Sequence, residues 1–324
     1  MPEYILSGCL LCIMTGAAGL TGNAELIFPE AAALVCGAWL RRVQPWNIDR
    51  GKMEFLMILG AFAGIALNRW LPGPLWVRAA AGYVLVMLAF HFSDSSMAPM
   101  VSAVILPVML GTKDILYPVT VTVIILAVTG VQYLMVRCGY RRENVYSPQK
   151  EREGHPAAMW GARLLLVLPL TAAACFSGHP FLAAPPLLVL YTEYSDAAFP
   201  ARRKPIAVFI AFVCAGAAGV WTRWMLDRAL ASYGMTRGVG CGLLFALAGL
   251  TVYLLLLVIW NISGLWIPPM GAAAYLPVLL GPGRLTAYLI SLTAGAAVWL
   301  LIGHITPYLA GRLERRQIIN ERRG

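Results

Sequence analysis

The chain has 324 residues, of which 60% are apolar and 12% charged, and its net charge is +10. Soluble domains are about 45–50% apolar and about 25% charged, and a mean hydropathy of +0.72 is typical of a chain that lies in a bilayer. The composition excludes a cytosolic enzyme, a disordered tail and a disulfide scaffold. Nucleic-acid binding is excluded as well, because no soluble segment is long enough to present a basic stripe.

Apolar runs that suit a bilayer core of about 30 Å follow one another along the chain. Six precede the hydrophilic stretch and six follow it: 4–20, 23–40, 52–71, 75–92, 97–111, 115–136, 157–175, 178–195, 205–226, 238–260, 266–281 and 285–306. We therefore predict an all-α fold, a polytopic transmembrane helical bundle of about 12 membrane segments that include broken or short helices. The first run has no preceding Lys or Arg, so we interpret it as a span and not as a signal peptide.

Orientation is predicted from Lys and Arg, because short cytoplasmic loops carry an excess of them. If each half crosses six times, 18 of the 25 lie on one side, Arg163 among them. If the short fifth runs of each half only dip into the membrane, the split is 13 to 12. The larger bias favours six crossings in each half, twelve in all. We therefore predict an integral protein of a bacterial inner membrane with both termini in the cytoplasm.

Matching stretches occur in the same order in both halves, which predicts an internal duplication. Residues 22–29 align with 178–185, 68–70 with 222–224, and 98–111 with 268–281. An even number of crossings makes the two repeats parallel. We predict a first membrane repeat at 1–136, a cytoplasmic linker at 137–156, a second repeat at 157–306 and a basic cytoplasmic tail at 307–324.

Prolines recur at matching positions within the short segments, for example Pro99 and Pro269 in the fifth segment of each half. Proline removes a backbone donor and breaks or kinks a helix. Broken helices at a repeat interface are a known way to build a transporter site, although a plain structural kink is the alternative.

Two motifs resemble the HPP family of membrane proteins. Gln44-Pro45-Trp46-Asn47 is similar to the Gln-Pro-Arg-Asn stretch of that family, and residues 267–274, Ile-Pro-Pro-Met-Gly-Ala-Ala-Ala, are similar to its His-Pro-Pro-Ala-Gly-Ala signature. Residues 96–103 resemble the signature more loosely. The resemblance implies two fused HPP-like units and transport of nitrite or a similar small anion, although Ile267 and Met97 stand where the family has histidine.

Polar residues inside or beside the spans are the candidates for a solute pathway, because such groups are costly in lipid. The candidates on the pathway are Asn23, Glu25, Glu30, Ser95, Ser96, Pro99, His179, Asn261, Ser263 and Pro269. Four cations at the outer ends are candidates for an anion-attracting mouth, or alternatively for interfacial anchors: Arg69, Lys113, Arg223 and Arg284. Glu193 is expected at a solvated helix end.

We predict a transporter or channel for a small, nitrite-like anion that passes at the interface of the two repeats. Its partners are that solute or ion and the lipid bilayer, and a homo-oligomer is left open. No catalytic motif, phosphate loop or metal-ligand spacing is present, so we predict no enzyme activity, no cofactor and no metal. The alternative is an intramembrane enzyme, built on Glu25, Glu30, His91 and Asp94, or a membrane scaffold subunit.

Overall fold

A computed structural model describes residues 2–142, 145–146 and 156–321. Within these residues the regular structure is helical, and we number the α-helices in chain order. They are α1 (Pro2–Thr21), α2 (Glu30–Val35, continued by a π-turn at Cys36–Leu40), α3 (Arg50–Trp70), α4 (Leu75–Ser93), α5 (Pro99–Leu110), α6 (Leu116–Arg137), α7 (Pro156–Phe176), α8 (Pro185–Tyr194), α9 (Pro205–Tyr233), α10 (Val239–Ser263), α11 (Pro268–Leu279) and α12 (Leu285–Glu321).

Eight of these helices are long and apolar enough to cross a membrane, namely α1, α3, α4, α6, α7, α9, α10 and α12. Between one third and somewhat under one half of each span is buried within the protein, which leaves broad apolar faces such as those carrying Ile13 and Phe55 exposed. Exposed apolar faces of that extent need lipid around them. The chain is an integral membrane protein with an all-helical fold, as predicted.

The four short helices α2, α5, α8 and α11 are buried on all sides. Every residue of α2 and of α8 is buried, and so is every residue of α5 up to Val108 and of α11 up to Val278. They occupy the second and fifth places in each half of the chain. The order of long and short helices is therefore the same in both halves.

Prolines set where the short helices begin. Pro99 is the first residue of α5, Pro268 and Pro269 open α11, and Pro185 opens α8. Proline suits the first helical turn, where its missing N–H would have no partner, and it disfavours helix in the residue before it. The predicted breaks are thus present, and the residues just before them are extended or turn-like.

By internal packing the chain divides into two compact units. The first unit comprises Met1–Pro45, Asp114–Asn144 and Ile206–Thr293, and the second comprises Trp46–Lys113, Val145–Pro205 and Ala294–Gly324. Each unit draws helices from both predicted repeats, so the units do not follow the division at the linker. Most of that linker, residues 143–144 and 147–155, lies outside the described residues.

In the first unit, α1 packs along α10 and α11 packs against α2. The approach of α11 to α2 is close because Gly271 has no side chain. A Cβ there would lie 2.8 Å from the backbone of Ala32. Similarly, a Cβ on Gly219 of α9 would collide with the carbonyl of Ala274 in α11. Small residues at these points let the backbones meet directly.

In the second unit, α4 packs against α7, and α5 packs against α3, α4 and α8. Aromatic contacts tie α4 to α7 in antiparallel order, with Trp76 near Phe176 and His91 near Trp160. Gly64 of α3 lets α5 approach closely.

The fifth segment of the first half covers the full length of α3, although its helix has only 12 residues. At one end the Ser96 N–H donates to the carbonyl of Asn47, just before α3 begins. At the other end Asn68, near the end of α3, donates to the carbonyls of Pro107 and Thr112. An extended stretch contributes about 3.3 Å per residue against 1.5 Å for helix, so the unwound start makes up the length that the short helix lacks.

One charged residue of a predicted span is buried. Arg163 is counted above on the cytoplasmic side although it falls within the run 157–175, and in the structure it lies inside α7 and is 5% exposed. Its burial shows that it does not lie in a solvated loop. The basic tail predicted from residue 307 begins without a break in the helix, since α12 continues through Pro307 to Glu321.

Candidate functional site

The densest buried polar cluster of the second unit surrounds the carboxyl end of α8. Thr192, Glu193 and Ser195 are all buried there, and tyrosines 191 and 194 are fully buried beside them. Because α8 is only 10 residues long, its free carbonyls and negative dipole end lie inside the protein. Cations and hydroxyl donors are the groups that stabilise such an end.

Arg163 of α7 reaches this helix end. Its Nε donates to the Ser195 hydroxyl at 2.8 Å, and its Nη2 donates to the Thr192 carbonyl at 3.0 Å. A guanidinium carries five N–H donors, so these two bonds leave three without an acceptor among the described residues. Both acceptors are neutral. Within the part of the chain that the structure describes, no carboxylate lies within 4 Å of this guanidinium.

Two buried tyrosines, Tyr83 and Tyr191, belong to the same cluster as Arg163. Tyr83 lies 3.1 Å from the Thr192 hydroxyl and Tyr191 lies 3.0 Å from that of Thr306, and both tyrosines interact electrostatically with Arg163. The Thr192 hydroxyl already donates to the carbonyl of Leu188. Tyr83 is therefore the donor in its pair, and the cluster around Arg163 is rich in O–H and N–H groups.

Glu193 is the carboxylate of this part of α8, and one of its partners is Trp46. Its Oε1 accepts a hydrogen bond of 2.9 Å from Nε1 of Trp46, and its side chain is 9% exposed. The expectation that Glu193 lies at a solvated helix end is thus wrong. Trp46 belongs to the Gln-Pro-Trp-Asn stretch, and its indole covers the carboxylate that the sequence position had suggested would meet water.

Arg202 closes the end of α8. It donates to the carbonyl of Tyr194, to that of Gly303 at 2.8 Å, and lies 3.2 Å from Nδ1 of His304. The other ring nitrogen of His304 is 3.1 Å from the Tyr194 hydroxyl. These contacts hold the part of α12 around His304 against α8. They engage the N–H donors of Arg202, whereas three N–H donors of Arg163 have no acceptor among the described residues.

The first unit carries a buried carboxyl at the corresponding short helix. Glu30 is the first residue of α2 and is 1% exposed. The phenol groups of Tyr117 and Tyr288 interact electrostatically with it. Phe28, two residues before Glu30, packs edge-on against Tyr117 at 6.1 Å between ring centroids. The pathway candidate Glu30 therefore lies deep in the protein, beside two tyrosines.

The carboxyl end of α2 is capped by Arg141. Its guanidinium donates to the carbonyls of Arg41 at 2.6 Å, Trp39 at 3.3 Å and Gly37 at 3.4 Å. Burial, followed by the nearby charge of Arg41, lowers the pKa of Arg141, and an arginine remains a cation at neutral pH all the same. Next to it, Gln132 donates to Gln44 at 2.9 Å.

Two of the predicted mouth cations bind backbone carbonyls. Arg69 donates from Nε and Nη2 to the carbonyl of Lys113 at 3.0 and 2.6 Å. Arg223 donates to the carbonyl of Val278 and pairs with Asp227 at 2.9 Å. Both arginines therefore satisfy carbonyls at or just beyond the carboxyl end of a short fifth helix, which the sequence alone did not indicate. Their Trp neighbours, Trp70 and Trp224, are exposed to the surroundings.

The other candidates occupy varied positions. Within the first unit, Asn23 caps a 3₁₀ turn by accepting from the Glu25 N–H, and Glu25 interacts with Asp114. Asn261 and Ser263 hydrogen-bond within their own helix, α10. Pro269 lies in α11, and Arg284 lies in the turn that follows α11.

Within the second unit, Ser95 is buried and its hydroxyl lies 2.7 Å from that of Ser93. Ser96 and Pro99 lie at the break before α5. His179 is exposed, with Nδ1 2.7 Å from its neighbour Ser177 carbonyl, and Lys113 is exposed as well.

The residues proposed for an intramembrane enzyme are spread over both units. Glu25 and Glu30 belong to the first unit, and His91 and Asp94 belong to the second. His91 is exposed and stacks edge-on with Trp160, while Asp94 adopts a left-handed conformation as the cap of α4. No group of three or more His, Cys, Asp or Glu side chains that could hold a metal occurs in the described ranges.

The fold and these clusters define a class, that of polytopic helical membrane proteins with broken helices and buried ionisable groups. No family model matches the chain, and no curated protein or solved structure matches it either.

Proposed function

We propose that this chain is a transporter or channel for a small anion, built from two HPP-like repeats. Transport is the function that best accounts for buried ionisable residues next to broken helices in a membrane-embedded chain. Each unit contains contacts between helices of the two halves. The proposed solute pathway lies at such contacts.

Three packing contacts support the duplication. The first helix of one half packs on the fourth of the other in both units, as α1 on α10 and α7 on α4. The second packs on the fifth in the same way, as α2 on α11 and α8 on α5. The third packs on the fifth of its own half through a glycine, Gly64 against Val104 and Gly219 against Ala274. Residues 104 and 274 differ by 170, the offset of the fifth-segment alignment.

The single observation that supports an anionic solute is the set of acceptors that Arg163 binds. A buried charge is strongly unfavourable unless it is paired, and in this protein the recorded acceptors of Arg163 are a hydroxyl and a carbonyl. A bound anion would supply the missing charge and accept the remaining N–H donors. Ionisable groups inside spans mark substrate pathways for this reason.

The geometry of the Arg163 guanidinium favours a planar oxyanion. A guanidinium presents parallel N–H donors that match two oxygens of nitrite, nitrate or a carboxylate. This solute class is also what the resemblance to the HPP family implies.

Uptake into proteoliposomes tests the proposal. Vesicles that contain the purified chain should take up nitrite or nitrate faster than empty vesicles, which report the leak of undissociated acid. Arg163→Gln should reduce the initial rate by about tenfold or more, since the loss of a charged hydrogen-bonding partner costs at least about 1.5 kcal/mol. Arg312→Gln, an exposed arginine of α12, is the matched control and should leave the rate unchanged.

The panel of solutes should include small carboxylates and a neutral solute of similar size. If no anion enters faster than into empty vesicles, the proposal is wrong. If the neutral solute enters as fast as the anions and Arg163→Gln leaves every rate unchanged, passage does not depend on the guanidinium and the anion assignment fails.

A further inference from the structure

We infer that Arg78 binds a phosphate group at the end of the second unit where α3 finishes and α4 begins. Arg78 is not among the four cations predicted for an anion-attracting mouth. The phosphate comes either from a lipid headgroup or from solution, and both sources offer the guanidinium the same oxygens. The site is separate from Arg163 and goes beyond the proposed function, because it requires binding alone and no transport.

Asn68 fixes the position of the Arg78 guanidinium. Asn68 lies near the end of α3, is 5% exposed, and donates from Nδ2 to the carbonyls of Pro107 at 2.6 Å and Thr112 at 2.8 Å. Since both amide protons are engaged, the amide oxygen is left to accept. Nη1 of Arg78 donates to this oxygen at 3.1 Å. A buried amide that is itself held by two carbonyls therefore orients the guanidinium.

The opposite edge of the same guanidinium has no acceptor. Nε of Arg78 is buried and has no hydrogen-bond partner among the described residues. Nη2 has no partner there either, and it is accessible from the surface. The N–H bonds of Nε and Nη2 are parallel and form the fork that binds two oxygens of a carboxylate or a phosphate. Because a buried N–H without an acceptor is unfavourable, this fork is where an oxyanion from outside the chain would bind.

Two other arginines at the ends of α3 and α9 have the same fork filled. Arg69 directs Nε and Nη2 to the carbonyl of Lys113. In the first unit, Arg223, which the alignment of 68–70 with 222–224 pairs with Arg69, directs the same two nitrogens to the Asp227 carboxylate at 2.9 Å each. The empty fork of Arg78 is therefore particular to that residue, and Arg223 shows that an acidic oxygen suits a fork at such a helix end.

Positive charge is uncompensated at this end of the second unit. Arg69, Arg78 and Lys113 all lie there, and within the described part of the chain no carboxylate lies within 4 Å of them. Asp114, the next residue, belongs to the first unit, where its Oδ1 accepts from the Leu116 N–H at 3.0 Å. A cluster of cations raises the local concentration of anions, and a phosphate with one or two negative charges is attracted more strongly than a singly charged anion.

The site is open and lies where two spans end. The loop between α3 and α4 is exposed at residues 72–74, and Trp70 is 77% exposed. Trp and Arg are typical of the level at which lipid headgroups lie. An open site at this level admits a group as large as a phosphate, in contrast to Arg163, which is 5% exposed.

Two binding arms test the inference on the purified full chain in a non-ionic detergent. In the first arm, inorganic phosphate replaces chloride at constant ionic strength, and the unfolding midpoint is followed. In the second arm, phosphatidylglycerol is titrated, and the bound lipid is counted by native mass spectrometry. The wild type should bind saturably in at least one arm. Binding in the first arm identifies phosphate from solution, and binding in the second arm alone identifies the lipid headgroup.

The Arg78 variants separate the fork from charge in general. Arg78→Gln should weaken the binding by about tenfold or more, because the phosphate loses its charged hydrogen bonds. Arg78→Lys keeps the charge without the planar fork, so its affinity should lie between those of Arg78→Gln and the wild type. Arg228→Gln removes one charge from an exposed arginine that stacks over Trp224, and it should bind as the wild type does. Arg163→Gln should also bind as the wild type does.

Several outcomes would overturn the inference. Absence of saturable binding in both arms is one, and binding that Arg78→Gln leaves unchanged is another. An equal loss in Arg228→Gln would make net charge the cause, and an equal loss in Arg163→Gln would place the anion at Arg163. If Arg78→Gln does not fold, Arg78→Lys decides, since an affinity equal to that of the wild type would show that the fork does not hold the phosphate. Failure of nitrite uptake, by contrast, would overturn the proposed function and leave this site intact.

Discussion

The Tyr288 hydroxyl donates a 2.7 Å hydrogen bond to the carbonyl of Ala273, which is the carbonyl that Pro277 leaves without a helical donor. Proline at position 277 has no N–H, and the helix would otherwise bond residue 277 to residue 273. Both partners are buried, so no water is needed at this break. The broken helix α11 is thus completed by a side chain of α12.

Replacing Tyr288 with Phe should therefore lower the free energy of unfolding by about 1–3 kcal/mol, the cost of an unsatisfied buried carbonyl. In a Pro277→Ala background the same replacement should cost clearly less, because the alanine N–H can itself donate to the carbonyl of Ala273. Unfolding in detergent gives the four values of this double-mutant cycle. An equal cost in both backgrounds would mean that Tyr288 acts through something other than the proline gap.

The contact between α3 and α5 depends on Gly64. A Cβ at this position would lie 2.5 Å from both the Val104 carbonyl oxygen and Pro107, and a backbone neighbour cannot move aside cheaply. Gly64→Ala should destabilise the protein by about 1–3 kcal/mol. Gly130→Ala, on α6 with open space around it, should instead be neutral or stabilising by up to about 1 kcal/mol. Thermal unfolding midpoints compare the two, and equal midpoints would refute the close approach.

Arg141 should be the main support of the carboxyl end of α2. Arg141→Gln removes donors from three carbonyls and should cost about 2–4 kcal/mol of unfolding free energy, judged from about 1.5–3 kcal/mol for each charged hydrogen bond and partial re-solvation. Arg141→Lys should recover less than half of the loss, since an ammonium cannot reproduce the planar fork. Its exposed neighbour provides the control, and Arg142→Gln should change little; a comparable loss there would point to net charge as the cause.

The indole of Trp46 should hold Glu193 in its buried position. Trp46→Phe keeps most of the apolar volume but removes the donor to the carboxylate, and it should lower the free energy of unfolding by about 1.5–3 kcal/mol. Combining it with Glu193→Gln should show strong non-additivity, because the two side chains are in direct contact. Independent, additive effects in chemical unfolding would indicate that the 2.9 Å contact contributes nothing.

Hydropathy predicts where the apolar segments lie, because it acts on each segment separately. It does not predict which of them cross, since eight helices are long enough to span a membrane, against the twelve crossings that the Lys and Arg count favours. Each of the twelve predicted runs contains a helix, and the prolines at 99 and 269 indicated correctly where two of them break. The burial of polar side chains is not predicted from the sequence, because it depends on contacts between distant segments. Glu193 is predicted at a solvated helix end because of its distance from that end, and Arg163 is counted on the cytoplasmic side. Neither prediction could include the contact of Glu193 with Trp46 or that of Arg163 with Ser195.

In the candidate site, too, the sequence predicts which residues are polar within the spans but not which distant groups they contact. Glu30 was identified from sequence, because a carboxyl within an apolar run is costly wherever it lies. Arg69 and Arg223 were identified as a repeated pair, but their carbonyl partners at the ends of the fifth helices follow only from the paths of α5 and α11. His304 gave no signal, since its contact with Arg202 joins residues about one hundred positions apart.

Binding of nitrite to the purified protein tests the central claim most directly, because it asks whether Arg163 holds an anion. Nitrite should raise the unfolding midpoint in a saturable manner, and a concentration of about 100 times Kd corresponds to about 2.7 kcal/mol of stabilisation. Arg163→Gln should lose this stabilisation, and Arg312→Gln should retain it. A nitrite effect of the same size in the wild type and in Arg163→Gln, or none in either at concentrations that support uptake, would contradict the account.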